Sequence, residues 1–348
     1  MKKPNKDAIA FSRHINEWLT VYAPSVQSNS VHTVKNYKDT LSLFLHFITH
    51  VKGHDAKTFS FKLLERSVIE EWILWLKNER KCSSETCNSR LASIRAFIKY
   101  LSEKDVSLMY LACETARIPR QRTVRKKVDG LSKNAVKALL KAPDTNTPTG
   151  RRDLALLILM YGTAARIDEV LSMKTEHLHL QSPKPYVTII GKGNKVRTIY
   201  LLPKAVAHLE KYMAEFHAAQ SDCDSYVFYS RIKGNDSKMT QPAISKQLRK
   251  YAAVAHEECP EVPLTLHAHQ IRHAKASHWL EDGMNIVQIS FLLGHADVKT
   301  TMVYLDITTE QEEKALVTLE AENDRKMPKK WKNAPQSFAE LCGLRTIK

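Results

Sequence analysis

The chain has 348 residues, enough for two domains each with a core of its own. Its apolar content is 43%, and no uninterrupted apolar run reaches membrane-spanning length, which sets aside a helical integral membrane protein. The net charge of +16, from 53 Lys+Arg against 37 Asp+Glu, points to a polyanionic partner; nucleic acid fits better than an acidic membrane, because no basic amphipathic helix stands out.

The basic start, Met1 to Asp7, leads into no apolar signal core, so a cytoplasmic protein is expected. The cysteines Cys82, Cys87, Cys113, Cys223, Cys259 and Cys342 form no Cys-x-x-Cys pair. They are expected to be free thiols in a reducing compartment, not a zinc ribbon or a disulfide framework.

Residues 8–112 read as an all-helical domain. Val34, Tyr37, Leu41, Phe44, Leu45 and Ile48 fall on one helical face. Ser67 with Glu70 has the form of a capping box ahead of Ile69, Trp72, Ile73 and Leu76. A further stripe, Leu91, Ile94, Phe97, Ile98 and Leu101, has Arg90, Arg95 and Lys99 at its other positions. Such a basic face suits a helix lying on DNA phosphates, and a solvated surface explains it equally well. A basic linker is expected over 113–130. It carries Arg117, Arg120, Arg122, Arg125, Lys126 and Lys127, has no apolar period, and includes Pro119 and Gly130. The fifteen residues 116–130, fully extended, span on the order of 50 Å, enough to pass around a duplex.

A second domain is expected over 131–308. Ser132 is a candidate N-cap for a helix with Val136, Leu139 and Leu140, and a buried helix over Leu154 to Tyr161 leads to Arg166. Tyr186–Ile190 and Val196–Leu201 read as strands joined by Gly191-Lys192-Gly193-Asn194-Lys195, with the glycines a hairpin needs. Everything after Pro203 reads as helical, so the chain as a whole is expected to be mainly α with a small antiparallel β-sheet. Residues 309–348 change character. Thr309 to Glu322 is acidic and helical in pattern, with Leu316 and Leu319 on one side, and a basic, proline-broken stretch follows.

The residues with chemistry are spread along the second domain. A phosphodiester under attack gains negative charge, and two guanidiniums clamp such oxygens in bidentate fashion without a metal. Arg166 and Arg272 are the candidates; the small residues Gly162, Ala164 and Ala165 beside Arg166 would let a substrate come close, and Asp168 or Glu169 would orient its guanidinium. His269 and Arg272, three apart, share one face of a helix. His269 and His273 one turn apart raise a zinc-hydrolase reading, but the second position of that motif is Gln270, which cannot act as the base, so no metal ligand is assigned. Gly294 is placed to end a helix in the left-handed conformation, which would fix His295 just beyond it. Tyr304, nine residues on, is able to fold back toward His295. Clustered cations would favour its ionised form. Lys192, in the hairpin turn, could reach a groove and protonate a leaving 5′ oxygen. Taken singly, each of these residues is also explained by packing, capping or exposure.

Together, Arg166, Lys192, His269, Arg272, His295 and Tyr304 resemble, in that order, the pattern of the tyrosine recombinase (phage integrase) family: an Arg after a small-residue turn, a hairpin Lys, His-x-x-Arg, Leu-Gly-His and Tyr. The resemblance covers about residues 10 to 310. Gly191–Lys195 and Leu293-Gly294-His295 are most similar to the Xer-like and transposon-encoded branch. Ala164-Ala165 stand where Gly-Leu or similar is usual, and the tail beyond Tyr304 is longer than a minimal Xer-like protein needs.

The resemblance implies a helical SAM-like core-binding domain and a mixed α/β catalytic domain. It implies a site-specific recombinase that attacks DNA through Tyr304, forming a 3′-phosphotyrosine bond and releasing a 5′-hydroxyl. Arg166 and Arg272 would hold the phosphate, Lys192 would be the general acid, His269 an acid/base and His295 a transition-state support. No cofactor is implied, because the covalent bond conserves the energy of the broken phosphodiester. The implied partners are double-stranded DNA and three further copies of the chain on paired sites, with or without a second recombinase or accessory protein. Thr309–Glu322 would be the helix passed to a neighbour. A type IB topoisomerase acting on one duplex and a non-cleaving DNA-binding regulator are the alternatives.

Overall fold

The computed structural model describes residues 3–27, 30–123, 130–191, 193–217, 224–230, 232 and 234–307. The chain forms two compact units, Met1–Lys126 and Lys127–Lys348. Among the described residues, no helix is long and apolar enough to cross a membrane.

The first unit is helical: α1 (Lys6–Glu17), α2 (Val31–His46), α3 (Arg66–Asn78), α4 (Ser84–Lys104) and α5 (Met109–Ala116). Its core is rich in aromatic rings. Phe44 meets Trp72 edge-on at 5.3 Å, and Trp18 stacks on Tyr37 at 4.6 Å, both within the range that favours ring pairs. Leu41, Phe44 and Ile48 of the stripe read from the sequence are buried there. The start of α3 differs from expectation. Arg66 opens the helix after Glu65, and Ser67 lies inside its first turn, where it cannot act as an N-cap. Glu70 pairs with Arg66 at 2.8 Å instead.

The basic positions of α4 divide by what they touch. Arg90 Nη1 donates to the carbonyl and side-chain oxygens of Asn36 and, at 2.9 Å, to Thr40 Oγ1, tying α4 to α2. Arg95 donates to the carbonyls of Thr115, Ala116 and Ile118. Those carbonyls lie at or just beyond the end of α5, where helix carbonyls run out of full intrahelical partners. The expected phosphate-binding face is therefore narrower than the sequence implied: both guanidiniums have structural partners, and Lys99 remains exposed with Glu103 3.9 Å away. The linker is also shorter in effect. Ile118 is buried in the first core, and the Gln121 amide and carbonyl are held by Asn88. Arg117, Arg120 and Arg122 are exposed, whereas Arg125, Lys126 and Lys127 lie outside the described residues.

The second unit contains α6 (Lys133–Lys141), α7 (Pro148–Thr163), α8 (Ile167–Leu171), α9 (Pro203–Phe216), α10 (Gln241–Glu258), α11 (Ala268–Glu281) and α12 (Ile286–Leu293). Ser132 caps α6 by accepting from the Ala135 amide at 3.1 Å. Strands β1 (Leu178–His179), β2 (Tyr186–Ile190) and β3 (Val196–Tyr200) make one antiparallel sheet in that order. Val187 pairs with Ile199 and Ile189 with Arg197, so the inward face of β3 alternates an arginine with an isoleucine. The expectation of helix alone after Pro203 fails at a second hairpin, β4 (Tyr229–Ser230) with β5 (Gly234–Lys238). Its second strand, Gly-Asn-Asp-Ser-Lys, has no apolar alternation, so periodicity could not reveal it. Gly150 is required near the start of α7, because a Cβ there would lie 1.9 Å from the Asp144 carbonyl oxygen.

Candidate active site

The site is built where α7 ends. Ala164 takes a left-handed conformation, φ +49°, and ends the helix. Ala164 and Ala165 are buried, so these small residues do not line a substrate path as expected. The backbone there instead receives the Arg272 guanidinium, whose Nη1 donates to the Ala164 carbonyl at 2.8 Å. Arg166 then begins α8. Its amide donates to Glu169 Oε2 at 2.8 Å and its Nη1 to Glu169 Oε1 at 3.1 Å, which leaves the side chain 40% exposed. Glu169 is therefore the acid that orients Arg166, while Asp168 pairs with Lys238 at 3.3 Å.

Glu169 has a second guanidinium. Arg197 of β3 donates through Nη2 to Oε2 at 2.6 Å and through Nη1 to Oε1 at 3.2 Å, and its Nε donates to the Leu292 carbonyl at 2.8 Å. Burial pushes the Glu169 carboxyl up. The hydrogen bonds from Arg197 and the Arg166 amide, with the charges of both guanidiniums, more than offset this and hold its pKa below the usual value. Arg197 thus joins β3, α8 and the end of α12, a role that the sequence reading missed. Gly294 ends α12 at φ +65°, and a Cβ there would lie 2.9 Å from Arg197 Nη1, so space and conformation both call for glycine.

Arg272 is 2% exposed and projects from α11 into the same region. Its Nη2 donates to the Leu293 carbonyl at 2.7 Å and to His295 Nε2 at 3.1 Å. Burial, then the charge of Arg166, brings its pKa down to about 10, so it remains a cation at neutral pH. His295 is pushed down to about 4 by burial and by the charges of Arg272 and Arg166. A guanidinium only donates, so Nε2 of the neutral ring is the acceptor and Nδ1 carries the proton, donated to Thr301 Oγ1 at 2.7 Å.

His269 lies on α11 with Arg272, as the spacing implied. Partial desolvation, then Arg272, lowers its pKa. The ring of His273 stands 4.4 Å from it at 81°. Tyr304 folds back toward α11, with its hydroxyl 2.6 Å from His273 Nδ1. It is 1% exposed. Its pKa is raised, because burial outweighs the cations Arg272 and Arg166; this reverses the expectation that clustered positive charge would ionise it. An open cleft of about 470 Å³ beside these groups is lined by Arg166, Gly191, Lys195, Gly294 and His295. Gly191 closes the base of the hairpin by donating to the Lys195 carbonyl at 2.8 Å, and Lys192 lies outside the described residues.

The structure therefore brings Arg166, His269, Arg272, His295 and Tyr304 into one neighbourhood and adds Glu169, Arg197, His273 and Thr301 to it. Arg166 opens onto the cleft, while Arg272 and the Tyr304 hydroxyl lie buried behind it; two cations close to a tyrosine hydroxyl are the groups needed to bind a phosphate and attack it.

Residues 130–311 match the model of the phage integrase family, and residues 15–105 match that of the phage integrase N-terminal SAM-like domain. A tyrosine recombinase XerD of Listeria monocytogenes (serotype 4b, strain F2365) is 32% identical over 283 residues, covering 80% of this chain and 89% of the relative. The crystal structure of XerH site-specific recombinase bound to its difH substrate shares the fold, with a TM-score of 0.64 at 17% identity, over 92% of this chain and 91% of that one. A lambda integrase tetramer bound to a Holliday junction does so with a TM-score of 0.58 at 12% identity, over 82% and 77%. The chain belongs to the phage integrase family: it is a tyrosine recombinase, an enzyme of site-specific DNA recombination.

Proposed function

We propose that the chain cuts and rejoins two DNA duplexes through a 3′-phosphotyrosine bond to Tyr304, acting in the cytoplasm as four copies on paired sites. The observation that supports this best is that Arg166, exposed at the cleft, and Arg272, buried beside His295, lie close enough for the charge of the first to lower the pKa of the second. The phosphate sits between the two guanidiniums. They stabilise the charge that develops on its non-bridging oxygens. Glu169 and the Ala164 and Leu293 carbonyls hold the two arginines in place before substrate arrives, so little reorganisation opposes the reaction.

Tyr304 attacks phosphorus, the 5′ oxygen leaves with a proton from Lys192, and His269 and His295 contact the phosphate. The new phosphodiester to tyrosine has the bond energy of the old one, so a 5′-hydroxyl from a partner strand reverses the step without ATP. The exposed Arg117, Arg120 and Arg122, with Lys99, supply contacts to the DNA backbone. Assembly rests on the segment after Ile307, which lies outside the described residues and whose Leu316 and Leu319 would pack on a neighbouring copy. XerH is bound to a DNA substrate and lambda integrase is a tetramer on a junction, which favours this reading over a single-duplex topoisomerase.

The experiment is a suicide duplex, nicked so that the released fragment diffuses away. The wild-type chain accumulates as a covalent adduct. Tyr304→Phe binds the same site with unchanged affinity and forms none. An undiminished adduct from the phenylalanine variant would remove Tyr304 from the nucleophile role, and strand exchange between two labelled duplexes separates recombinase from topoisomerase.

A further inference from the structure

The nucleophile proposed above needs somewhere to send its proton, and the expected acid/base, His269, is not hydrogen-bonded to it. The Tyr304 hydroxyl instead meets Nδ1 of His273 at 2.6 Å, with the two rings 5.5 Å apart. Both partners are held in place. His273 lies in the middle of α11, directly after the buried Arg272, and its carbonyl accepts from Ser277 Oγ at 3.0 Å. Tyr304 is fixed by its amide, which donates to the Thr301 carbonyl at 3.1 Å, while the Thr301 hydroxyl is bonded to His295.

We propose that His273 is the general base of strand cleavage, receiving the phenolic proton of Tyr304 as its oxygen attacks phosphorus. This rests on the reading of Tyr304 as nucleophile. In the forward step the Tyr304 oxygen–phosphorus bond forms, the bond from phosphorus to the 5′ oxygen breaks, the tyrosine proton moves to His273 Nδ1, and the departing 5′ oxygen takes a proton from the general acid. In rejoining, a 5′-hydroxyl attacks the phosphotyrosine and gives its proton to the general acid, now deprotonated, while the imidazolium returns its proton to the departing tyrosine oxygen. The ledger of protons balances in each direction without a further reactant.

The electrostatics of the neighbourhood agree. His273 is pushed down to about 4 by burial, then by His269, Arg272, His267 and His295 around it, so at neutral pH its ring is neutral and Nδ1 is free to accept. Tyr304 is pushed up, burial first, so at neutral pH it still carries its proton. A tyrosine that does not ionise unaided beside a neutral imidazole is a pair that needs general-base transfer rather than prior ionisation. The arriving phosphate adds negative charge, which favours the imidazolium once it has formed. His269, one turn earlier on the same helix, is then left to contact the phosphate itself.

The test uses the full chain and the suicide duplex under single-turnover conditions. His273→Asn keeps a polar atom near the Nδ1 position and cannot take a proton at neutral pH. It should bind the site as wild type does and cleave roughly 10²–10⁴-fold more slowly, the usual loss when a general base is removed. Its rate should climb about tenfold per pH unit from about pH 7 to 9, because tyrosinate must now form from solvent, whereas the wild-type rate should stay flat over that range. His273→Ala should regain part of its rate when imidazole is added. Cleavage by His273→Asn at the wild-type rate, or a loss that neither pH nor imidazole recovers, overturns the proposal. The wild-type profile needs no variant to fold: a rate that itself climbs tenfold per unit overturns the proposal too. Tyr304→Phe in the same assay reports on the nucleophile separately, so an adduct formed by that variant refutes the function and not merely the base.

Discussion

Replacing Arg197 by methionine tests whether the buried pair behind the cleft holds the site together. The side chains of Arg197 and Glu169 are 5% and 7% exposed, joined at 2.6 Å, and Arg197 also satisfies the Leu292 carbonyl at 2.8 Å. Methionine fills similar volume but leaves a buried carboxylate with Arg166 as its remaining charged partner and a carbonyl without its donor. Removing one member of a buried pair costs about 3–5 kcal/mol. At about 2–4 °C per kcal/mol for a unit of this size, the lower figure corresponds to a fall in melting temperature of roughly 6–12 °C. The pH dependence has a definite sign. In wild type the Glu169 carboxyl is held below its usual pKa, so its contribution is complete above that value and is lost as pH falls through the folded one. In the variant the burial remains and the Arg197 bonds are gone, so the carboxyl shifts upward. The gap between the two melting temperatures is therefore widest near neutral pH and narrows as acidification protonates the group, first in the variant and only at lower pH in the wild type. Arg197→Met with Glu169→Gln removes both charges and should recover more than half of the loss. Calorimetry across pH measures all three. A drop under about 2 °C, or a gap that widens on acidification, would refute the argument that this pair is what braces the cleft.

Arg272→Lys should retain site-specific binding yet lose about 10²–10³ in single-turnover cleavage, because one ammonium cannot serve the Ala164 and Leu293 carbonyls and a phosphate together; a loss below tenfold would remove it from the clamp. Alanine at Arg117, Arg120 and Arg122 should lower the slope of log affinity against log salt by up to about 0.9 per residue, measured by titration at several salt concentrations; an unchanged slope would mean that these exposed arginines do not touch DNA. Truncation after Ile307 should spare binding of one copy to a half-site and weaken assembly on paired sites, read by gel shift; normal strand exchange by the truncated chain would rule out the exchanged segment, and a lowered melting temperature would place that segment on its own unit.

Much of the fold was legible because its elements carry local signals. Ser132 caps α6, Gly294 ends α12 with a left-handed turn, and the β2–β3 hairpin falls where alternating residues flank two glycines. The β4–β5 hairpin was not, since its polar second strand is held by pairing and not by an apolar face. The fate of Arg90 and Arg95 was illegible for a related reason. A basic position on an amphipathic helix reads as exposed, yet a guanidinium on a long stem reaches the polar groups of a neighbouring helix, Asn36 and Thr40 for Arg90 and the carbonyls at the end of α5 for Arg95, and only tertiary contact reveals it. Arg197 did leave a trace: it shares the inward face of β3 with Ile199, and a charge on that face calls for a buried partner.

The histidines mark the limit of spacing as a guide. His269 and His273 are one helical turn apart, so periodicity places the two on one side of α11. What separates them is the return path of the chain from Gly294 to Tyr304. That path runs through two short turns, Val298–Thr300 and Met302–Ile307, pinned by the bond from His295 to Thr301. A shift of the tyrosine by a single turn of α11, about 5.4 Å, would exchange its partner. The motif therefore nominates a nucleophile and its cations, on residue types that the chemistry calls for, while the neighbour of the tyrosine hydroxyl is set by a non-local loop that no residue pattern encodes. For that reason the functional test falls on His273 and not on the histidine that the motif names.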